Sequence, residues 1–145
     1  MKILIFLWIV VMAFSASAAD LKAIINDVPL FKTEVSARMK LLKAQQPALY
    51  QEMPIKKLEK VALDNLVEEY LKIQKSQALG IKVSEAEIDQ AVTHLEQQNG
   101  FSAGGLQRLL SEQNVPMKTL RQQVYGDLVW LMYVRSKAGH ITIPD

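Results

Sequence analysis

The chain has 145 residues, half of them hydrophobic, and its 17 Lys and Arg residues nearly balance its 15 Asp and Glu residues. This length corresponds to one domain, and a net charge of +2 without long runs of like charge argues against a nucleic-acid-binding protein. Because cysteine is absent, disulfide frameworks, thiolate zinc sites, cysteine nucleophiles and cysteine-linked lipid anchors are excluded. The hydrophobic share is too high for a disordered chain.

The N-terminus has the order of a secretory signal peptide: a short positively charged start, the 12 apolar residues Ile3–Phe14, and a stretch of small residues. A membrane-spanning helix needs about 20 apolar residues, so this run is too short for one. We therefore predict a signal peptide at 1–19, cleaved after Ala18 or, as we favour, Ala19. The remaining 20–145 would form one domain with no membrane anchor after cleavage.

The first part of this domain combines a β-hairpin with a helix. Asn26 and Asp27 lie between two short apolar segments and tolerate the positive φ angles of a tight turn, which predicts the hairpin. Thr33 is predicted to cap the first helix, and Pro47 to end it. A loop is expected from there to Pro54.

Two further helices are predicted by their periodicity. From Pro54 to Gly80, apolar residues recur every three or four positions, which indicates a helix of about seven turns. The apolar stripe consists of Ile55, Leu58, Ala62, Leu66, Tyr70 and Ile73. Ser84 and Glu87 have the spacing of a capping box, in which each side chain bonds the other residue's amide. The helix that they open should end near Asn99.

The last third is predicted to form two helices and a strand. Ser102 can cap a fourth, short helix that ends at Asn114 in the left-handed conformation. Pro116 opens a fifth helix that Gly139 closes, and Ile141–Ile143 is typical of a short strand. The predicted fold class is mainly α, with about five helices, a small β-hairpin near the N-terminus and a short C-terminal strand.

The sequence contains few residues suited to catalysis. Its two histidines, His94 and His140, are interpreted as surface or loop residues, and nothing surrounds them at metal-ligand spacing. The carboxylate pairs Glu68–Glu69 and Glu85–Glu87 are placed on solvated helix turns, where nothing would separate two pKa values as acid–base catalysis requires. We therefore predict no active site, no metal and no cofactor, and hence no enzyme.

The segment Leu128–Val134 is unusual because it places seven apolar residues in a row within the fifth helix. Leu128 and Leu131 continue the inward stripe, whereas Val129, Trp130 and Tyr133 should point elsewhere around the helix. A helix that is apolar all round is either buried on every side or has a second partner, and both interpretations remain open. The candidate client- or partner-binding residues are Val129, Trp130, Met132, Tyr133 and, before the fourth helix, Phe101.

The segment Leu79–Ala91, continued by Gln97–Ser102, closely resembles the N-terminal domain of the SurA family of periplasmic chaperones and parvulin-type peptidyl-prolyl isomerases. The flanking segments agree, and the resemblance extends over nearly the whole of the predicted domain. The flanking segments that resemble the family are Ile24–Asp27, Thr33–Val35, Leu58–Gly80, Leu120–Val124 and Ile141–Ile143.

The resemblance implies a periplasmic module that binds unfolded or outer-membrane proteins without ATP, through apolar and aromatic contacts. Family members usually continue into parvulin domains and a C-terminal segment that packs back on this domain, whereas this chain stops at Asp145. Isomerase activity is therefore not carried over. Since Met117–Lys137 is more apolar than the family's last helix should be, a homodimer is one arrangement that would cover it. The alternatives are the N-terminal fragment of an isomerase and an envelope adaptor that binds one folded partner.

Overall fold

The computed structural model describes residues 20–138, which form two strands and six helices. The elements are β1 (Leu21–Ile25), β2 (Val28–Phe31), α1 (Lys32–Gln45), α2 (Pro47–Tyr50), α3 (Ile55–Gln77), α4 (Glu85–Gln98), α5 (Gly105–Glu112) and α6 (Met117–Ala138). The prediction of a mainly α chain with an N-terminal hairpin is confirmed. The signal peptide predicted at 1–19, His140 and the strand predicted at Ile141–Ile143 lie outside the described residues.

Strands β1 and β2 form the predicted antiparallel hairpin. Its turn residues Asn26 and Asp27 have φ angles of 47° and 70°, the left-handed pair that a two-residue turn requires. Ile25 and Leu30 point into the core. The hairpin is anchored to α3, because Gln74 Nε2 donates to the Ile25 carbonyl at 3.2 Å.

The start of α1 differs from the prediction. The helix begins at Lys32, and Phe31 occupies the capping position that was expected for Thr33. The Phe31 amide donates to Glu34 Oε2 at 2.9 Å, so the glutamate side chain satisfies this amide without a hydroxyl cap. The predicted loop after Pro47 also contains one short helix, α2, which proline opens from its preferred first-turn position.

Helix α4 and most of α3 agree with their predicted patterns, but Ile55, the first residue of the predicted α3 stripe, is 65% exposed. In α3, Leu58, Ala62 and Leu66 are buried as the stripe requires. At the start of α4, the Glu87 amide donates to the Ser84 hydroxyl at 3.3 Å, and the Ser84 amide donates to Glu87 Oε2 at 2.7 Å. The predicted capping box is therefore confirmed. The Ser84 amide and the Ser84 hydroxyl both donate to Glu87 Oε2 and lower the pKa of the Glu87 carboxyl.

Helix α5 starts later than predicted. Its cap is Gly104, with a φ of 73°, rather than Ser102. The buried Glu96 side chain replaces the hydroxyl, because Glu96 Oε2 accepts from the Gly104 amide at 3.2 Å and Oε1 accepts from the Leu106 amide at 3.1 Å. Asn114 has a φ of 54°, which confirms its predicted left-handed conformation before α6.

Two hydrophobic clusters share α1. The first joins the hairpin, α1 and α3 through Ile25, Leu30, Val35, Leu42, Leu58, Ala62 and Leu66. The second joins α1, α4, α5 and α6 through Leu41, Ile88, Val92, Leu110, Val115, Leu120 and Val124. The adjacent residues Leu41 and Leu42 point into different clusters, so α1 lies between them. Helix α6 packs against both α3 and α4 and carries four of the five candidate binding residues in its C-terminal half.

Candidate functional site

An exposed apolar surface lies where the C-terminal half of α6 passes α3. We call it the distal surface and define it by the exposed residues Leu71 and Val134 and the half-buried residues Trp130 and Tyr133. The rings of Trp130 and Tyr133 stack with their centroids 4.8 Å apart and an interplanar angle of 19°. Leu71 and Trp130 line a shallow hollow of about 650 Å³. Such a surface offers aromatic and aliphatic contact area without requiring the protein to open.

Lysines flank the aromatic pair on both sides. Lys72 Nζ lies 5.9 Å from the centre of the Trp130 ring, and Lys137 Nζ lies 6.0 Å from the centre of the Tyr133 ring. These distances are within the range of cation–π attraction, which holds the aromatic rings in place at the surface. Lys72 is also paired with Glu68 at 2.5 Å. The distal surface is therefore apolar at its centre and charged at its edge.

The predicted side-chain orientations of two residues in α6, Val129 and Leu131, are wrong. Val129 was expected to point away from the core, but its side chain is fully buried and its carbonyl accepts from the Ser76 hydroxyl at 3.2 Å. Leu131 was expected to continue the inward stripe, but it is 44% exposed. The reason is that α6 packs on α3 in this half, so the buried face of the helix is one that a single apolar stripe does not reveal.

The four other candidate binding residues do not all lie in one site. Trp130 and Tyr133 are together on the distal surface, and Met132 is half-buried next to them along α6. Phe101 lies elsewhere, in the segment between α4 and α5. The structure thus brings together two of the five predicted binding residues. Their role in binding remains a prediction.

Phe101 lines a second concave surface, which we call the leucine groove. This groove lies between α1, α4, α5 and α6 and has a volume of about 470 Å³. The leucines that line it are Leu41, Leu95, Leu106, Leu109, Leu110 and Leu120. The amide side chains that line it are those of Gln45, Gln46, Asn99 and Gln123. This groove cannot be recognised from the sequence, because its residues come from four helices and from the connections between them.

A buried ionic network connects α1, α3 and α6. Arg38 Nη2 donates to Glu69 Oε2 at 2.6 Å, and the two side chains are only 3% and 7% exposed. Glu69 Oε1 accepts from Gln122 Nε2 at 2.9 Å. Burial raises the pKa of the Glu69 carboxyl, and Arg38 and Gln122 oppose that rise only in part. The prediction that Glu69 lies on a solvated helix turn is wrong, because its side chain is buried. The partner that makes this burial possible, Arg38, is 31 positions away in the sequence, so the pairing is not a local feature.

A signal for this network is nevertheless present in the sequence. Arg38 is three positions after Val35 and four before Leu42, so it occupies a core position of α1. Glu69 is three positions after Leu66 and occupies the same kind of position in α3. A charged residue in the apolar phase of each of two helices indicates that the two charges meet.

Asp127 provides a test of the electrostatics near this network. It is exposed as a residue but lines a polar hollow of about 120 Å³ beside Glu69. Burial raises the pKa of the Asp127 carboxyl, and Lys72 and Arg38 oppose the rise. The folded state therefore binds this proton more tightly than the unfolded state, and the stability contributed by Asp127 falls as pH rises through and above its unfolded pKa.

We expect Asp127→Asn to raise the melting temperature at pH 7 by no more than about 2 °C, since solvent screens an exposed side chain. The gain should be smaller at pH 4, where the wild-type carboxyl is closer to neutral. Differential scanning calorimetry at the two pH values measures both quantities. A lower melting temperature for the variant at pH 7 would instead show that the carboxylate makes a stabilising contact.

Between residues 20 and 138, no three His, Asp or Glu side chains are arranged so that they could hold a metal ion. His94 is exposed on α4, as predicted for a surface histidine. The helices of this range all fall short of the length and apolarity that a membrane crossing requires.

Comparison with known proteins identifies the family. The sequence profile of the SurA N-terminal domain matches residues 19–133. The chain is 29% identical over 125 residues to the chaperone SurA of Alcanivorax borkumensis, an alignment that covers 85% of the chain and 29% of that protein. It is 27% identical over 108 residues to the chaperone SurA of Hahella chejuensis, which covers 74% of the chain and 25% of the relative.

Among solved structures, a chain described with the SurA-like chaperones PEB4 and Cj1289 of Campylobacter jejuni is similar, with a TM-score of 0.48 and 21% identity. That similarity covers 86% of this chain and 44% of the other. The chain spans less than a third of the length of the two SurA proteins above. Because the profile match covers most of its residues, the chain belongs to the SurA N-terminal domain family.

Proposed function

We propose that the chain is an ATP-independent chaperone module of the periplasm, which binds unfolded proteins, including outer-membrane proteins, through its distal surface. The observation that carries this proposal is the half-buried stack of Trp130 on Tyr133, which lies beside the exposed side chains of Leu71 and Val134. Membership of the SurA N-terminal domain family supports it, since the relatives compared above are named as chaperones. The signal peptide predicted at 1–19 supports export to the periplasm.

The physical properties of the distal surface suit a protein that holds clients and releases them without an energy source. Unfolded chains expose apolar and aromatic side chains, and an aromatic surface binds many such sequences because every ring offers the same kind of contact. Binding at a shallow surface buries little area, so each contact is weak and reversible. Release then needs only that the client buries its own apolar residues.

We expect the wild-type protein at equimolar concentration to suppress the light scattering of an unfolded outer-membrane β-barrel protein diluted from denaturant. Trp130→Ala combined with Tyr133→Ala should raise the apparent Kd for the client roughly 10-fold, because the stacked rings supply most of the aromatic contact area. The matched control is Leu49→Ala combined with Ile55→Ala, which removes two exposed apolar side chains far from α6 in the sequence.

The outcomes separate the candidate functions. Unchanged scattering with the wild-type protein contradicts the chaperone proposal. Equal losses in the aromatic variant and its control contradict the assignment to the distal surface. A large fall in melting temperature with unchanged client binding would show that Trp130 and Tyr133 serve folding. Capture of one folded envelope protein at fixed stoichiometry, without suppression of scattering, favours the adaptor alternative.

A further inference from the structure

We propose that the start of α3 and the short helix α2 before it form a contact with anionic membrane surfaces, in which aliphatic side chains enter the headgroup layer beside lysines. We call this part of the chain the apolar tip and define it by Leu49, Ile55, Lys56 and Lys57. It is separate from the distal surface, which lies near the C-terminal end of α3. Predicted export decides only which membranes the protein meets, so lipid binding at the tip does not depend on client binding.

The tip exposes two large aliphatic side chains on a segment that the fold holds in place. Leu49 is 56% exposed and Ile55 is 65% exposed. Between them, Tyr50 and Met53 are half-buried and pack against the first hydrophobic cluster, and the Met53 amide donates to the Tyr50 carbonyl at 3.3 Å. The exposure of Leu49 and Ile55 is therefore a property of an ordered segment that is attached to the core from both sides.

Two exposed lysines follow Ile55 at positions where they do not stabilise the helix. Lys56 and Lys57 lie in the first turn of α3, which contains no acidic residue. The N-terminal end of a helix carries a partial positive charge, so cations there cost stability. Helix stability therefore does not explain the two lysines, whereas a negatively charged surface opposite the tip does.

The charged side chains around the tip leave a small positive excess. Lys22 Nζ lies 2.8 Å from Glu59 Oε1. Lys60 Nζ lies 2.6 Å from Asp64 Oδ2. Because each of these pairs is neutral, the two lysines of the tip are offset within residues 49–64 only by the exposed carboxylate of Glu52. We therefore expect an attraction to anionic surfaces that supplements the apolar contact.

The composition of the tip favours a lipid surface over a protein partner. Specific protein interfaces bury about 1,200–2,000 Å² in total, and their cores are depleted of lysine. Lysines beside a few exposed aliphatic side chains are instead typical of segments that bind at the membrane interface. A second copy of the chain would bring the same lysines together. Anionic lipids provide both an apolar layer for Leu49 and Ile55 and a counter-charge for the lysines.

The binding test uses the chain from Asp20 to Asp145, which contains every described element and leaves out the apolar run Ile3–Phe14. We expect it to co-sediment with vesicles of phosphatidylcholine that contain about 30% phosphatidylglycerol, with an apparent Kd of about 0.1–1 mM lipid. Vesicles of phosphatidylcholine alone should bind at least about 5-fold more weakly. Raising the salt concentration from 50 to 500 mM should weaken binding to the anionic vesicles about 5-fold, because salt screens the lysines but not the apolar contact.

The aliphatic half of the tip is tested by Leu49→Ser with Ile55→Ser. This variant should weaken binding to the anionic vesicles at least about 10-fold, since it removes the side chains that enter the headgroup layer. The matched control is Leu79→Ser with Leu131→Ser, which changes two leucines that are 50% and 44% exposed outside the tip. The control should keep the wild-type affinity within about 2-fold.

The charged half is tested by Lys56→Glu with Lys57→Glu, which should weaken binding to the anionic vesicles at least about 10-fold. The control Lys75→Glu with Lys82→Glu changes the net charge equally at exposed positions outside the tip, and it should weaken binding less than about 3-fold. Acidic residues are favourable at a helix start, so the Lys56→Glu, Lys57→Glu variant should melt no lower than the wild type. Its loss of lipid binding would then not result from unfolding.

The sequence contains no cysteine, so a single introduced thiol can report which residue enters the membrane. An environment-sensitive fluorophore attached to the Ile55→Cys variant should shift its emission to the blue when anionic vesicles are added. The same label on the Leu79→Cys variant should not shift.

Three results would overturn the proposal. One is binding that is equal for anionic and neutral vesicles and unchanged in both tip variants. Another is a blue shift from the label at Leu79→Cys and none at Ile55→Cys. The third is capture of a folded envelope protein that Leu49→Ser with Ile55→Ser abolishes, without binding to either kind of vesicle, which would assign the tip to a protein partner. Suppression of client scattering enters none of these measurements, so lipid binding and the proposed function can fail separately.

Discussion

Replacing Arg38 by alanine is expected to lower the free energy of unfolding by about 3–5 kcal/mol, because it leaves an uncompensated carboxylate in the interior. The Arg38–Glu69 pair is 2.6 Å long and both side chains are almost fully buried. After the change, Glu69 keeps only the Gln122 hydrogen bond. Chemical denaturation with urea measures the loss as a lower midpoint, and the slope should stay the same.

The loss should depend on pH in a defined direction. Burial already raises the pKa of Glu69 in the presence of Arg38, and without the guanidinium nothing but Gln122 opposes that rise. A raised folded-state pKa means that stability falls as pH rises above the unfolded pKa. The Arg38→Ala variant should therefore lose more stability at pH 7.5 than at pH 5, where protonation neutralises part of the isolated carboxylate.

The control replaces both charges with apolar residues of similar volume, Arg38→Met with Glu69→Leu. Replacing a buried ion pair by packed hydrophobic residues is often neutral or stabilising, so this variant should recover most of the lost stability. A double variant as unstable as Arg38→Ala would show that the loss comes from packing around Arg38. The outcome also bears on function, since Glu69 and Gln122 join α3 to α6, and the distal surface lies between these two helices.

The sequence predicted those parts of the fold that depend on neighbouring residues. The long helix α3 follows from an apolar stripe at helical spacing, and the capping box at Ser84 follows from a hydroxyl and a carboxylate three residues apart. The turn at Asn26 and Asp27 follows from the tolerance of both residues for positive φ. In each case the determining contacts are a few residues apart.

The sequence did not reveal features that depend on how the helices pack. Val129 and Leu131 lie in a run of seven apolar residues. Because every position in such a run is apolar, the sequence does not indicate which face of α6 packs against α3. Helix starts were misplaced where a distant or unexpected group does the capping, as Glu96 does for α5. Trp130 and Tyr133 were named from the sequence as candidate binding residues, but their stacking and the leucine groove depend on where the helices lie in space.

Replacing Gly126 by valine is expected to lower the free energy of unfolding by about 3 kcal/mol through overpacking. Gly126 is buried in α6, and a Cβ atom added there would lie 2.9 Å from Glu69 Cγ and 3.7 Å from Ile73 Cδ1. Glu69 has no room to retreat, because Arg38 and Gln122 hold its two oxygens. The only remaining relief is to move α6 away from α3.

Two effects of a side chain at Gly126 can be separated by experiment: the gain in helix propensity and the clash with Glu69. If Gly126 were an ordinary helix position, alanine there would stabilise the protein by about 1 kcal/mol. We expect Gly126→Ala to destabilise it instead, and Ser136→Val, at an exposed position of the same helix, to cost less than about 0.5 kcal/mol. Urea denaturation of the three variants measures these differences. A stabilised Gly126→Ala variant would mean that α6 can shift on α3 without cost, and that glycine is not what allows the Glu69 network to form beside it.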